Sequence, residues 1–193
     1  MSKKLTWGLM SLFIGFLTLS CSEEEKEATP VDPLVGNWKL APAAGSLGVG
    51  PNLGDYSWWA IDAAGVTTRA CLYDDVYTFN ADGSFQNVVG TSTWLEAWQG
   101  AAADGCGTPV APHNGGTKGT WKTQNSALTI TGAGSYLGLP KVHNTGEDGK
   151  PANNTITYTY TLSLDNNTLE LTINGWLPSV PAATWYFKFT RQQ

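Results

Sequence analysis

The sequence predicts an all-β domain of about eight to nine strands, built as an up-and-down antiparallel barrel or, alternatively, as a two-sheet β-sandwich. Three observations carry this. Ile156, Tyr158, Tyr160, Leu162 and Leu164 alternate with Thr155, Thr157, Thr159, Thr161 and Ser163, the period of a strand with one wet and one dry face. The same alternation returns in Leu169, Leu171 and Ile173, and in Trp185, Phe187 and Phe189. The 193 residues include 22 Gly and 10 Pro, a turn-rich composition that favours short strands over long helices.

Taken in order, residues 34–40 form a first strand around Trp38, and a further strand is placed at 58–61. Tyr73, Tyr77 and Phe79 share a strand face, and Asn80-Ala81-Asp82-Gly83 turns the chain into a strand over 84–89. Residues 117–123 and 128–131 supply two more. Thr93-x-x-Glu96 reads as a capping box and Gly100 as a stop, which predicts a short helix near 94–99 with Trp94 and Trp98 on one face. Asp165-Asn166-Asn167-Thr168 is hairpin chemistry, because Asn tolerates positive φ. Strands with one apolar face each must bury it against one another, which a barrel or a sandwich does.

The N-terminus reads as an address. Lys3 and Lys4 precede an uncharged, mostly apolar run over 5–19, a length suited to a signal-peptide core and too short for a comfortable span. Ser20-Cys21 at its end resembles a bacterial lipoprotein cleavage site; the alternative is an ordinary signal peptide with a coincidental Cys. The expected organisation is a lipoprotein signal peptide over 1–20, an acidic lipidated tether over 21–33 and the β domain over 34–193. Acylation of Cys21, of the palmitate type, would hold the chain on a membrane. Glu23, Glu24, Glu25, Glu27 and Asp32 concentrate acidity in the tether. Ser22 with the acids after it resembles the signal that sends Bacteroidota lipoproteins to the outer face of the outer membrane, which implies surface display.

Charge and cysteine content narrow the function. Lys and Arg number 11 against 16 Asp and Glu, and there is no basic run, so nucleic acid is a poor partner. Of the three Cys, Cys21 takes the lipid, and outside the cytoplasm Cys71 and Cys106 are expected as a disulfide. A reactive thiol paired with His113 or His143 is the alternative, and no spacing supports it. Asp74 and Asp75 are adjacent, so on a strand they point to opposite faces and do not make a hydrolase pair. Gly48-Val49-Gly50 and Gly132-Ala133-Gly134 place their next glycine one position late for dinucleotide loops. No His-Glu-x-x-His or Gly-x-Ser-x-Gly is present, and the two His are poor evidence for metal. The sequence therefore calls for no catalytic residue, metal or cofactor.

Of the nine Trp, Trp7 lies in the N-terminal apolar run, and several of the other eight stand where a core does not require them. Trp38, Trp121 and Trp185 fall in strands; Trp58, Trp59, Trp94, Trp98 and Trp176 fall in or beside loops. Trp58 and Trp59, if extended, point to opposite sides, so at most one is free. Flat aromatic faces stack on the C–H faces of sugars. Trp94 and Trp98, with Trp58 or Trp59, are candidates for a stacking platform; Glu96, Asp104, His113, Tyr136 and Lys141 are candidates for its polar rim. The alternative is that the short helix plugs a barrel end and the indoles are buried.

Two resemblances bear on this. Gly36-Asn37-Trp38, Tyr77-Thr78-Phe79 running into Asp82-Gly83-Ser84-Phe85, Gly119-Thr120-Trp121 and the closing aromatic strand resemble the lipocalin-like domains of Bacteroidota lipoproteins. Trp58-Trp59, the stretch from Thr67 to Asp75, the stretch from Trp94 to Gly100, and Tyr136-Leu137-Gly138-Leu139-Pro140-Lys141 resemble modules found beside laminarinase-type glycoside hydrolases. The second resemblance implies a non-catalytic module capturing a polysaccharide, with a β-glucan suspected. The first keeps open a barrel that binds a small apolar ligand inside. On the lipoprotein reading, a Cys21→Ser variant should leave the membrane fraction; a variant that still sediments with membranes like its parent would refute acylation at Cys21.

Overall fold

A computed structural model describes residues 30–142, 154–174 and 183–193. The proposed signal peptide, Cys21 and most of the tether lie outside the described residues, as do His143 and Trp176.

The described chain forms β1 (Gly36–Leu40), β2 (Leu47–Gly50), β3 (Trp59–Ala60), helices α1 (Ala63–Thr68) and α2 (Ala70–Tyr73), β4 (Val76–Phe79), β5 (Ser84–Val88), β6 (Thr93–Leu95), β7 (Gly105–Gly107), β8 (Gly119–Gln124), β9 (Ala127–Thr131), β10 (Thr155–Leu162), β11 (Thr168–Asn174) and β12 (Thr184–Arg191). Eight of these close into an antiparallel barrel in the order β1-β4-β5-β8-β9-β10-β11-β12, and the β1–β12 pairing completes the ring. That closure decides for the barrel over the sandwich. β12 is long enough to take two partners along one edge: Phe189 to Arg191 face β1, while Thr184 to Phe187 face β2. β3 extends this wall, and β6 with β7 makes a separate two-stranded sheet.

The period-two segments fold as their pattern dictates. In β10, Ile156 and Tyr158 are buried while Thr155, Thr157 and Thr159 are exposed. Leu164 falls beyond the strand, in the turn, and is fully exposed. Asn166 there takes φ 56°, the left-handed conformation its side chain tolerates. At the β4–β5 turn, Gly83 takes φ 81° and Asp82 Oδ1 accepts the Ser84 N–H at 2.8 Å. Tyr73 is a correction: it closes α2 and does not share the β4 strand, because the turn at Asp74 separates it from Val76. The Gly48-Val49-Gly50 stretch is strand β2. Its glycines let the following loop fold back on it, since a Cβ at Gly50 would lie 1.6 Å from the Asp55 carbonyl oxygen.

Up-and-down topology sends tight hairpins to one end of the barrel and the longer connections to the other. Residues 51–75, 89–118 and 132–142 all leave from the same end, here called the mouth. The opposite end is sealed by Arg191. Its guanidinium lies 4.3 Å from the Trp38 ring centroid, its Nη1 donates to the Val35 carbonyl at 2.8 Å, and its Nη2 donates to the Pro33 carbonyl. Trp38 is fully buried and its Nε1 donates to the Leu34 carbonyl at 2.9 Å. Arg191 thus ties the last strand to the segment that leads into the first through charge-assisted hydrogen bonds. Arg191→Ala should lower the unfolding free energy by roughly 2–3 kcal/mol in urea titrations; a midpoint matching the parent would show that the seal is dispensable.

Candidate functional site

The mouth begins with a segment that enters the barrel. Residues 135–140 are buried, and strands on several sides of the barrel bind their backbone. Tyr77 on β4 donates its hydroxyl to the Gly138 carbonyl at 3.2 Å. Asn87 on β5 donates Nδ2–H to the Tyr136 carbonyl at 2.9 Å. The Tyr158 hydroxyl on β10 accepts the Leu137 N–H at 3.0 Å and donates to the Leu137 carbonyl at 3.3 Å. Gly138 takes φ 79°, and a Cβ there would meet Phe187 on β12 at 2.2 Å. Only glycine fits that left-handed position against an aromatic ring. Burial holds the Tyr136 and Tyr158 hydroxyls well above the ordinary tyrosine range, so both stay protonated hydrogen-bonding groups.

Over this plug lies the β6–β7 hairpin. An isolated two-stranded ribbon is marginal in water, and this one is fastened at both strands. The Cys71–Cys106 disulfide joins β7 to α2. Thr93 on β6 donates its hydroxyl to Asp75 Oδ2 at 2.6 Å and also meets the Tyr136 hydroxyl. Asp75 is 1% exposed and its Oδ1 has no hydrogen-bond partner among the described residues. Burial, opposed by the Thr93 bond, pushes its carboxyl up from the ordinary 3.8 to about 7.

The predicted helix near 94–99 is a 3₁₀ turn over Ala97–Gln99, and Gly100 ends it with φ 89°. The capping residue is Glu96, three residues later than Thr93: Gln99 Oε1 accepts the Glu96 N–H at 3.0 Å, and Asp104 Oδ1 accepts the Ala97 N–H at 2.9 Å. Trp94 and Trp98 therefore do not share a helix face. Trp94 lies on β6, opposite Cys106, because strand pairing and the disulfide outweigh a local capping pattern.

The predicted site residues nonetheless converge. Trp98 donates Nε1–H to Glu96 Oε2 at 2.9 Å, and Glu96 Oε1 lies 3.2 Å from Lys141 Nζ. The Lys141 ammonium sits 5.5 Å from the Trp185 ring centroid, and Trp185 packs against Trp59 at 6.0 Å. On its other side Trp98 meets His113 edge-on at 5.7 Å, and His113 meets Tyr136 likewise at 5.7 Å. Arg69 joins the remaining indoles, 4.3 Å from the Trp94 centroid and 5.4 Å from that of Trp59. Trp59, Trp94, Glu96, Trp98, His113, Tyr136 and Lys141 are thus one connected cluster at the mouth.

Exposure corrects the roles given to several of them. Trp94, Glu96, His113 and Tyr136 are buried, at 7%, 7%, 4% and 1% exposure, so Trp94 is not an open stacking face and the other three are not an outer rim. The physical reason is the plug: Tyr136 is drawn inside and His113 packs against its ring, while Glu96 is held under Trp98 and Lys141. Trp98, Lys141 and Trp59 are half-buried, Trp58 is 50% exposed, and Asp104 is exposed while capping the turn. Trp58 and Trp59 divide as alternation requires, one outward and one against Trp185. Arg69 was not singled out in the sequence; an isolated cation carries no spacing signal.

Against known proteins, the chain matches no protein-family model and no curated protein. It is similar to the solved structure of a lipocalin-like protein from Bacteroides uniformis, with 15% identity and a TM-score of 0.38 over 83% of this chain and 100% of that one. The barrel assignment rests on the chain's own strand pairing.

Asp75 gives the site a pH dependence with a definite sign. Between pH 4 and 7 the folded protein keeps a proton that the unfolded chain has released, so stability falls as pH rises through that window. The loss should reach on the order of 3–4 kcal/mol above pH 7. Asp75→Asn, measured by urea unfolding at pH 5 and pH 8, should remove most of that difference; an unchanged pH slope in the variant would contradict it.

Proposed function

We propose that this protein is a non-catalytic glycan-binding module, carried as a lipoprotein on the outer-membrane surface and acting in polysaccharide capture. The observation that carries the reading is the fixed, half-buried indole of Trp98. Its edge is tied to Glu96, Glu96 is tied to Lys141, and His113 holds the ring from the side. An aromatic group immobilised before the ligand arrives loses little freedom on binding, which is how stacking platforms gain affinity. Trp58 and Trp59 add aromatic surface near the same mouth, and Lys141 supplies a polar head among them.

The carboxylates support a binding role. Glu96 is neutralised by Lys141, and Asp75 is buried beneath Thr93, so each serves the fold. The alternative of a small apolar ligand inside the barrel is the weaker reading, because residues 135–140 occupy that interior. The lipid anchor and surface display continue the reading of Cys21 and the acids that follow it.

The test is retention of the full-length protein on laminarin, mixed-linkage glucan and acidic plant and algal polymers, with melting followed in parallel. Trp98→Ala should weaken binding about thirtyfold, and Trp58→Ala by less, with Trp58→Ala melting like the parent. Trp94→Ala should instead destabilise by about 3–5 kcal/mol, as a buried indole does. If Trp98→Ala and Trp58→Ala both fold and bind as the parent does, the site lies elsewhere.

A further inference from the structure

Arg69 sits where α1 ends and α2 begins. Its N–H bonds the Gly65 carbonyl at 2.9 Å, and its carbonyl accepts the Leu72 N–H at 2.8 Å. The backbone is fixed, and the half-buried guanidinium reaches over the rings of Trp94 and Trp59. Those contacts use its charge. Among the described residues no carboxylate pairs with it, and no acceptor takes a hydrogen bond from its side-chain N–H groups. Lys141, also in the cluster, is different: it already has Glu96 as its counter-ion. The mouth therefore holds a planar fork of N–H donors, positioned by two indoles and, among the described residues, without an anion paired to it.

We infer that Arg69 receives a carboxylate of the ligand, so that the captured polymer is a polyuronate, with an acidic sugar at the mouth. The inference rests on the glycan reading above and names its ligand class. A guanidinium matches a carboxylate through two parallel N–H···O bonds, which a neutral sugar's hydroxymethyl group cannot reproduce. The stereochemistry of a uronic acid suits the site. Its carboxylate stands one bond outside the pyranose ring, so a sugar anchored on Arg69 brings its ring toward the half-buried Trp59 beside the guanidinium. Desolvation by the two indoles strengthens the ion pair relative to one in open water.

The experiment is affinity electrophoresis of the full-length protein through polygalacturonate, alginate and glucuronan, through the same polymers after reduction of their carboxyl groups, through laminarin and through a sulfated galactan. At least one polyuronate should be bound about thirtyfold more tightly than its reduced form, an arm that needs no variant. Arg69→Lys keeps the charge and loses the fork; it should weaken the polyuronate about tenfold and leave the reduced polymer unchanged, with melting as the folding control. Equal binding of native and reduced polymers, or retention by the sulfated galactan alone, overturns the inference. Binding of laminarin alone, with Arg69→Lys equal to the parent, overturns it while leaving the glycan reading intact. No retention on any polymer overturns both.

Discussion

A loop inside a β-barrel is permissible only if its peptide groups find partners there, and that requirement organises this molecule. Buried carbonyl and N–H groups without partners destabilise a fold by about 1–3 kcal/mol each. Here Tyr77, Asn87 and Tyr158 supply the partners for residues 136–138 from three separate strands. The interior-facing side chains are therefore amphipathic by design: aromatic bodies fill the barrel while their polar ends hold the plug. Gly138 completes the fit by letting the backbone approach Phe187 more closely than any side chain could.

Once the interior is filled, chemistry is displaced to the mouth. The connections that build it cannot form a core of their own. They are instead packed down onto the plug and cross-braced by the disulfide, the Asp75–Thr93 bond and the Glu96–Lys141 pair. The hairpin end can stay short because Arg191 and Trp38 seal it with two residues. This division leaves the barrel as scaffold and the mouth as the surface that the proposed binding would use.

The strands were legible because their signal is local. Alternation in β10, β11 and β12 follows from one wet and one dry face, and Asn166 and Gly83 mark turns through their own backbone preferences. The mouth was legible only in part. Aromatic enrichment drew attention to Trp94, Trp98, Glu96, His113, Tyr136 and Lys141, which the fold does gather. Their burial was not legible, because it depends on residues 135–140 folding inward, and that is settled by partners about 20 to 60 positions away in sequence. The short helix near 94–99 is present as the turn over Ala97–Gln99, but for the same reason it does not reach Trp94. Spacing within a short stretch favoured one face, while pairing with β7 pulled Thr93–Leu95 straight.

The chain of contacts through Trp98, His113, Tyr136, Thr93 and Asp75 has a consequence for how this protein could be altered. Residues that share partners in this way do not contribute independently, and their effects combine non-additively. A loop carrying Trp98 without the His113 and Tyr136 that brace it would present a loosely held ring. Transplanting a single mouth connection onto another barrel would move the residues and leave their rigidity behind. The transferable unit is the set of connections together with the segment they rest on.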